Sequence, residues 1–211
     1  MIVSRQKPFN EVLDCLKGIE RVFIVGCGEC ATVCLTGGEE QVAEMIKKLQ
    51  EAGKQVTGSF VAESACHMLD MKRMLRQHKD AVAQAQAIVT MACGAGAQSV
   101  ANTMDDKPVF TANDTMFLGN VQRFGNFVEH CSMCGSCIIN QTGGICPVTN
   151  CSKGLLNGPC GGVNQGKCEV GEDRDCAWVK IYNRLKALNR LDEFKKIQAM
   201  KDFSSAEKPR N

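Results

Sequence analysis

The sequence predicts an α/β fold: a small doubly wound parallel sheet, then a Cys/Gly-rich domain, then a C-terminal helix. Three observations lead there. Apolar runs of strand length alternate with segments of helical spacing as far as residue 125. From Asn126 to Cys176 glycine and cysteine replace that alternation, and a helical pattern returns at Ala177. One domain is therefore expected over residues 1–125 and a second over 126–211.

Taken in order, residues 1–18 carry Phe9, Val12, Leu13 and Leu16 at helical spacing and stop at Gly18. This predicts an amphipathic helix with Cys15 on its apolar side. Arg21–Val25 reads as a buried first strand, and Gly37–Ala52 as a helix built on Val42, Met45, Ile46 and Leu49. Gln55–Val61 repeats the strand signal, and His67–His78 repeats the helical one through Met68, Met71 and Leu75. Ala87–Met91 is a third strand and Pro108–Phe110 a short fourth. Such alternation needs right-handed crossovers, here with strand order 2-1-3, and ligands then bind beyond the C-terminal strand ends. In the last helix Trp178, Ile181, Tyr182, Leu185 and Leu188 recur at helical spacing. Trp178 and Tyr182 read as core residues capping the cysteine-rich segment, and the polar tail after Asp202 reads as frayed.

The 211 residues, 44% of them hydrophobic, suffice for one or two packed domains. Lys and Arg total 25 against 23 Asp and Glu, and a net charge of +2 is too weak a field to recruit nucleic acid or an anionic membrane. No apolar run of 18 residues occurs, and residues 1–14 carry charges where a signal peptide needs an apolar stretch. A soluble cytoplasmic protein without membrane insertion is expected.

Fourteen cysteines dominate the chemistry. They would suit disulfides in a secreted chain. In a reducing compartment, thiols at this density and in C-x2-C spacing instead hold metal, because neighbouring thiolates repel until a cation neutralises them. Cys15 has no cysteine neighbour and reads as a small buried hydrophobe.

After the first strand, Gly26-Cys-Gly28-Glu-Cys30-Ala31 fits the dinucleotide fingerprint G-x-G-x-x-A. Its contents argue against that ligand, because Cys27, Cys30 and Cys34 would crowd and repel a pyrophosphate. Cys66 follows the second strand and Cys93 the third, so strand order 2-1-3 brings all five thiols to one sheet edge. Three clustered thiols and a remote fourth favour a [4Fe–4S] cluster, although zinc also accepts four thiolates. Cys93 is the preferred fourth ligand because Gly94 and Gly96 let its loop approach, and Cys66 stands close behind. His67 reads as a helix-start residue.

The second domain runs Cys131-Ser-Met-Cys134-Gly-Ser-Cys137, then Cys146-Pro147, Cys151, Cys160, Cys168 and Cys176. Three thiols at x2 spacing and a later Cys-Pro are ferredoxin habits. The interval before Cys-Pro is eight residues, where the ferredoxin run has three, which leaves the fourth ligand of the triplet unassigned. Two clusters, or one cluster and a structural zinc, both fit eight cysteines. Lys153 and Lys167 lie among these thiols, as solvated loop lysines or as partial counter-charges. No Ser-His-Asp set or H-E-x-x-H helix is visible, so no catalytic residue is assigned.

The runs Thr142–Thr149, Cys151–Gly162, Gly166–Glu169 and Asp175–Trp178, with Tyr182, resemble the methylenetetrahydrofolate reductase C-terminal family. The resemblance extends over both halves and is far more distinctive in the second. It implies an iron–sulfur subunit bound to a flavin-containing methylenetetrahydrofolate reductase catalytic subunit of (β/α)8-barrel fold, which would hold the flavin and folate sites. The two cysteine triplets predict at least two [4Fe–4S] clusters, and a flavin fed by ferredoxin or another one-electron donor protein needs such a relay. Some family proteins are associated with zinc, so the metal at each site stays open. The alternative is a metal-stapled structural subunit that stabilises the flavoprotein without passing electrons.

Overall fold

The computed structural model describes residues 1–104 and 106–204. Its elements begin β1 (Ile2–Gln6), α1 (Phe9–Cys15), β2 (Arg21–Cys27), α2 (Cys30–Val33), α3 (Glu39–Glu51), β3 (Gln55–Ala62), α4 (Met68–Gln77) and α5 (Lys79–Gln84). They continue β4 (Ala87–Met91), α6 (Gly94–Ala101), β5 (Val109–Thr111), β6 (Asn113–Arg123), β7 (Asn126–Cys131) and α7 (Pro147–Asn150). The last are β8 (Val163–Asn164), β9 (Lys167–Cys168), β10 (Gly171–Asp175), α8 (Ala177–Ala187) and α9 (Leu191–Lys195). The chain divides into two compact units, residues 1–117 with 121–127, and residues 118–120 with the chain from Val128 on.

In the first unit four parallel strands lie in the order β3-β2-β4-β5, so β3 and β4 flank β2 as the 2-1-3 order required. Val22 to Val25 are wholly buried, as a strand covered on both faces must be. Phe23 and Val25 pack with Phe60, Met71, Leu75 and Ile88 on one side. Val22 and Ile24 pack with Val12, Leu16, Val42, Met45 and Leu49 on the other. Each such side chain contributes about 1.5–3 kcal/mol on burial, which fixes the sheet and therefore its C-terminal edge. Two side chains set helix starts: Gln41 Oε1 accepts the Gly38 N–H at 3.2 Å before α3, and His67 Nδ1 accepts the Asp70 N–H at 3.3 Å before α4.

The helix expected over residues 1–18 is instead a strand and a shorter helix. Pro8 occupies the N-cap of α1, and Val3 and Ser4 on its N-terminal side are buried in β1, which pairs with β6. Cys15 is exposed at the end of α1, which turns Val12 and the following Leu16 inward. The sequence reading also missed β6 and β7. Residues of β6 show no regular two-residue alternation in burial, so no strand period marks them.

The second unit has its own small core. Trp178, Ile181 and Leu185 of α8 pack with Cys176, and the short antiparallel sheet runs β10-β9-β8. Tyr182 is 39% exposed and rests edge-on against Phe194 at 5.5 Å, so it borders this core while Trp178 fills it. Residues 205–211, most of the tail expected to fray, lie outside the described residues. Among the described residues no helix is long and apolar enough to cross a membrane.

Candidate metal centres

The first unit carries its five thiol positions at the C-terminal edge of the parallel sheet. Cys27 ends β2 opposite Ala62, Cys66 follows β3, and Cys93 is the N-cap of α6 directly after β4. Thr32 Oγ1 donates to the Cys27 carbonyl at 2.8 Å and closes the turn into α2. Cys30 and Cys34 bracket α2 and meet one shared neighbour, the backbone of Ile2. The Ile2 N–H donates to Cys30 Sγ at 3.4 Å, and Cys34 Sγ donates to the Ile2 carbonyl at 3.8 Å. Ser4 and Thr36 hydroxyls, 2.7 Å apart and buried, tie β1 to the same loop.

The glycines of this loop have a steric reason. A Cβ on Gly26 would lie 2.6 Å from the Gly37 carbonyl, and one on Gly37 would overlap the Met91 carbonyl. They allow β2, β4 and the chain after Cys34 to meet backbone to backbone. The helix after the fingerprint is only four residues long, which gives a pyrophosphate little dipole to bind. Cys66 and Cys93 come from adjoining loops: a Cβ on Gly96 would sit 3.0 Å from Ala65 Cβ, and Ser99 of α6 donates to the Cys66 carbonyl at 3.4 Å. Helix α6 therefore serves both candidates for a fourth ligand, with Cys66 exposed and Cys93 half-buried.

In the second unit Cys131 ends β7, and its sulfur accepts the Met133 N–H at 3.4 Å. Cys134 Sγ donates to the Ser136 carbonyl, which Lys201 also reaches. Burial pushes the Cys134 thiol up, but the Lys201 ammonium and the Ser132 hydroxyl outweigh it and hold the thiol below its ordinary value. Cys137 is exposed, and Cys146 is the N-cap of α7.

The eight-residue interval between Cys137 and Cys146 is a closed loop. Thr142, 2% exposed, places its hydroxyl 3.3 Å from the Ile138 carbonyl and 2.6 Å from the Ile145 carbonyl. The ends of the interval, which adjoin Cys137 and Cys146, are thus drawn together. Thr149 of α7 donates to the His130 carbonyl at 3.3 Å and ties the same turn to the Cys131 end of β7.

The remaining four thiols, Cys151, Cys160, Cys168 and Cys176, line one enclosed cavity of about 20 Å³ with Val163 and Trp178. Trp178 Nε1 donates to the Leu155 carbonyl at 3.0 Å. Lys153 pairs with Glu169, and Lys167 with Asp175 at 2.7 Å. Glu169, with a smaller contribution from the Cys160 and Cys168 thiols, raises the Lys153 ammonium above its ordinary value, and Asp175 does the same for Lys167. Lys167 and Lys180 together pull the Asp175 carboxyl down to about 2. Among the described residues no three His, Cys, Asp or Glu side chains are drawn into a single coordination sphere. No sequence pattern points to Ile2 or Lys201, which reach Cys30 and the Cys134 loop from distant positions, or to Thr142, whose hydroxyl meets carbonyls of its own loop.

Residues 110–204 match the methylene-tetrahydrofolate reductase C terminal family. The matched stretch of this C-terminal family takes in a little under half of the chain and contains all eight second-group cysteines, from Cys131 to Cys176. No protein among those with curated functions matches the chain. Two solved structures of arylmalonate decarboxylase, one of them unliganded, align at 14% identity, with TM-scores of 0.35 and 0.34. They cover 49% and 48% of this chain, which spans 46% of each of those chains, and a likeness that distant carries no argument.

Proposed function

We propose that this chain is the iron–sulfur electron-transfer subunit of a methylenetetrahydrofolate reductase complex and relays electrons to the flavin of the catalytic partner subunit. The observation that carries this reading is the family match over residues 110–204, because that stretch holds eight of the fourteen cysteines. The donor sets fit the group. Thiolates are the ligands of cubane clusters, and both units present a thiol triplet with further cysteines nearby.

In the first unit Cys27, Cys30 and Cys34 would hold one cluster with Cys93 or Cys66. In the second, Cys131, Cys134 and Cys137 would begin another. A bound cluster supplies one-electron exchange at these positions. The chain's own residues set its surroundings: the Ile2 N–H aimed at Cys30 favours negative charge on that sulfur, and Lys201 does the same beside Cys134. Flavin and folate belong on the catalytic partner, and ferredoxin or a similar one-electron protein is the proposed donor. The complex is placed in the cytoplasm, where thiols stay reduced.

One observation favours a second reading, a structural subunit stapled by zinc or clusters: four cysteines line a cavity beside Trp178, and two of them, Cys151 and Cys176, pack in the unit's own core. The two readings part in one experiment. Wild type and Cys134→Ser are compared in the complex with the catalytic partner, following assembly and donor-driven reduction of the flavin. Loss of flavin reduction with assembly retained supports the relay. Turnover at the wild-type rate with that cluster absent replaces it with the structural reading.

A further inference from the structure

We propose that helix α4 carries the docking face for an acidic one-electron carrier protein, so that electrons enter the chain through the first unit beside Cys66. The direction of the electrons rests on the relay reading, whereas the docking face is read from α4 itself.

Cations gather on this helix without matching acids. Lys72, Arg73 and Arg76 of α4 and Lys79 at the start of α5 are all exposed. Lys72 and Arg76 are four residues apart and Arg73 and Arg76 three, so like charges neighbour one another along the helix, which by itself destabilises it. Other helices pair such residues, Lys47 with Glu51 and Lys48 with Glu44 on α3, and Lys195 with Asp192 and Lys196 with Glu193 on α9. Three carboxylates border the α4 row. Asp70 engages Arg73 at 3.3 Å and His67 at 3.0 Å, Asp106 lies 3.8 Å from Lys107, and Asp80 follows Lys79 in the chain. Among the described residues Lys72, Arg76 and Lys79 form no ion pair. In a chain with a net charge of +2 this is a local concentration of positive field, and folding gives no reason for it.

The shape of the surface selects a protein. Lys72 and Arg76 belong to two adjoining open depressions. One, of about 310 Å³, brings them together with Lys79 and Lys107 around Leu75 and Met104. Lys107 is held there by its Nζ, which donates to the Ala85 carbonyl at 2.9 Å. The other, of about 450 Å³, adds Arg73 and Leu69, and Leu69 is 73% exposed. An exposed leucine ringed by cations matches an apolar contact inside a ring of carboxylates on a partner protein. A phosphate group has no use for the leucine.

The position selects the kind of protein. Helix α4 starts at Met68, two residues after the exposed Cys66, so one rigid element leads from the thiol edge to the cations. At a rise of about 1.5 Å per residue, Lys72 and Arg76 stand about 6 and 12 Å along the axis from Met68. Weak electron-transfer encounters bury less than about 1,200 Å², so the face of one helix suffices. Each encounter oxidises the carrier by one electron and reduces the first-unit centre by one, and two encounters supply the pair that a flavin needs.

The test uses the full chain purified anaerobically and an acidic ferredoxin as probe. Binding of the oxidised ferredoxin is read by calorimetry, and electron transfer from the reduced form by stopped flow, both over a range of salt. Lys72→Glu/Arg76→Glu should weaken binding and slow transfer about tenfold or more at low salt and lose most of the salt dependence. Iron, sulfide and the rate of bleaching by dithionite should stay at wild-type levels. Lys47→Glu/Lys48→Glu makes the same change in net charge on α3, which packs on the other face of the sheet, and should shift both readouts by less than about twofold. If the α4 variant does not fold, Lys72→Gln/Arg76→Gln serves in its place, with a smaller loss in the same direction. Equal binding and transfer in wild type and the α4 variant, or an equal loss in the α3 variant, overturns the docking face and leaves the relay standing. Inorganic phosphate or a DNA duplex bound more tightly than ferredoxin, and lost in the α4 variant, overturns it as well. An iron-free chain that binds ferredoxin through α4 sinks the relay and keeps the face, so the two proposals fail separately.

Discussion

Thr142→Val removes one hydroxyl and keeps the shape of the side chain. The hydroxyl is buried and donates to the Ile145 carbonyl at 2.6 Å, while the Ile138 carbonyl 3.3 Å away also accepts the Gln141 N–H at 3.1 Å. A lost hydrogen bond costs about 1 kcal/mol net, and a buried carbonyl left without a partner costs about 1–3 kcal/mol. The expected penalty is therefore about 1–3 kcal/mol, or about a 5- to 150-fold rise in the population with this loop open. If the loop holds Cys146 beside Cys137, that opening exposes a cluster ligand. The rate of iron capture by an external chelator should rise by the same factor when opening and closing are fast. Thr142→Ser retains the hydroxyl and should release iron at nearly the wild-type rate. Iron release from Thr142→Val at the wild-type rate, with an unchanged melting temperature, would refute the hinge role of Thr142.

Two further outcomes follow from the first unit. Gly37→Ala places a Cβ against the Met91 carbonyl, so the backbone after Cys34 must shift; a loss of at least about 1–3 kcal/mol is expected in chemical denaturation. Cys30→Ser should remove one cluster's absorbance and leave the second unit's spectrum intact, because the two sets of thiols lie in separately packed units; loss of iron from both units together would contradict that separation.

The sheet was legible because its central strands leave no other reading. Val22 to Val25 is an unbroken apolar run and Ala87 to Met91 is broken only by Thr90, and helical spacing between them dictates parallel crossovers. Strand order then decides which loops share an edge, so the placing of Cys27, Cys66 and Cys93 after neighbouring strands was legible. The N-terminus was misread because Phe9, Val12 and Leu16 satisfy a helical period that Pro8 cuts short, and residues before it serve β1. The contacts that shape the thiol sites were not legible. Ile2 reaches Cys30 across 28 positions, and Lys201 reaches the Ser136 carbonyl across 65, and no local pattern encodes such a meeting. Nothing in the sequence around Thr142 marks it, and only its contacts with carbonyls of the Ile138–Ile145 segment show that it ties the loop.

The central claim, that these thiols hold redox-active iron, meets its most direct test in the iron and acid-labile sulfide content of the chain purified without oxygen, with visible spectra before and after dithionite. The account predicts a brown protein whose absorbance bleaches on reduction, with iron and sulfide for at least two [4Fe–4S] clusters, one from each cysteine triplet. A colourless, iron-free preparation from iron-replete anaerobic cells would contradict it.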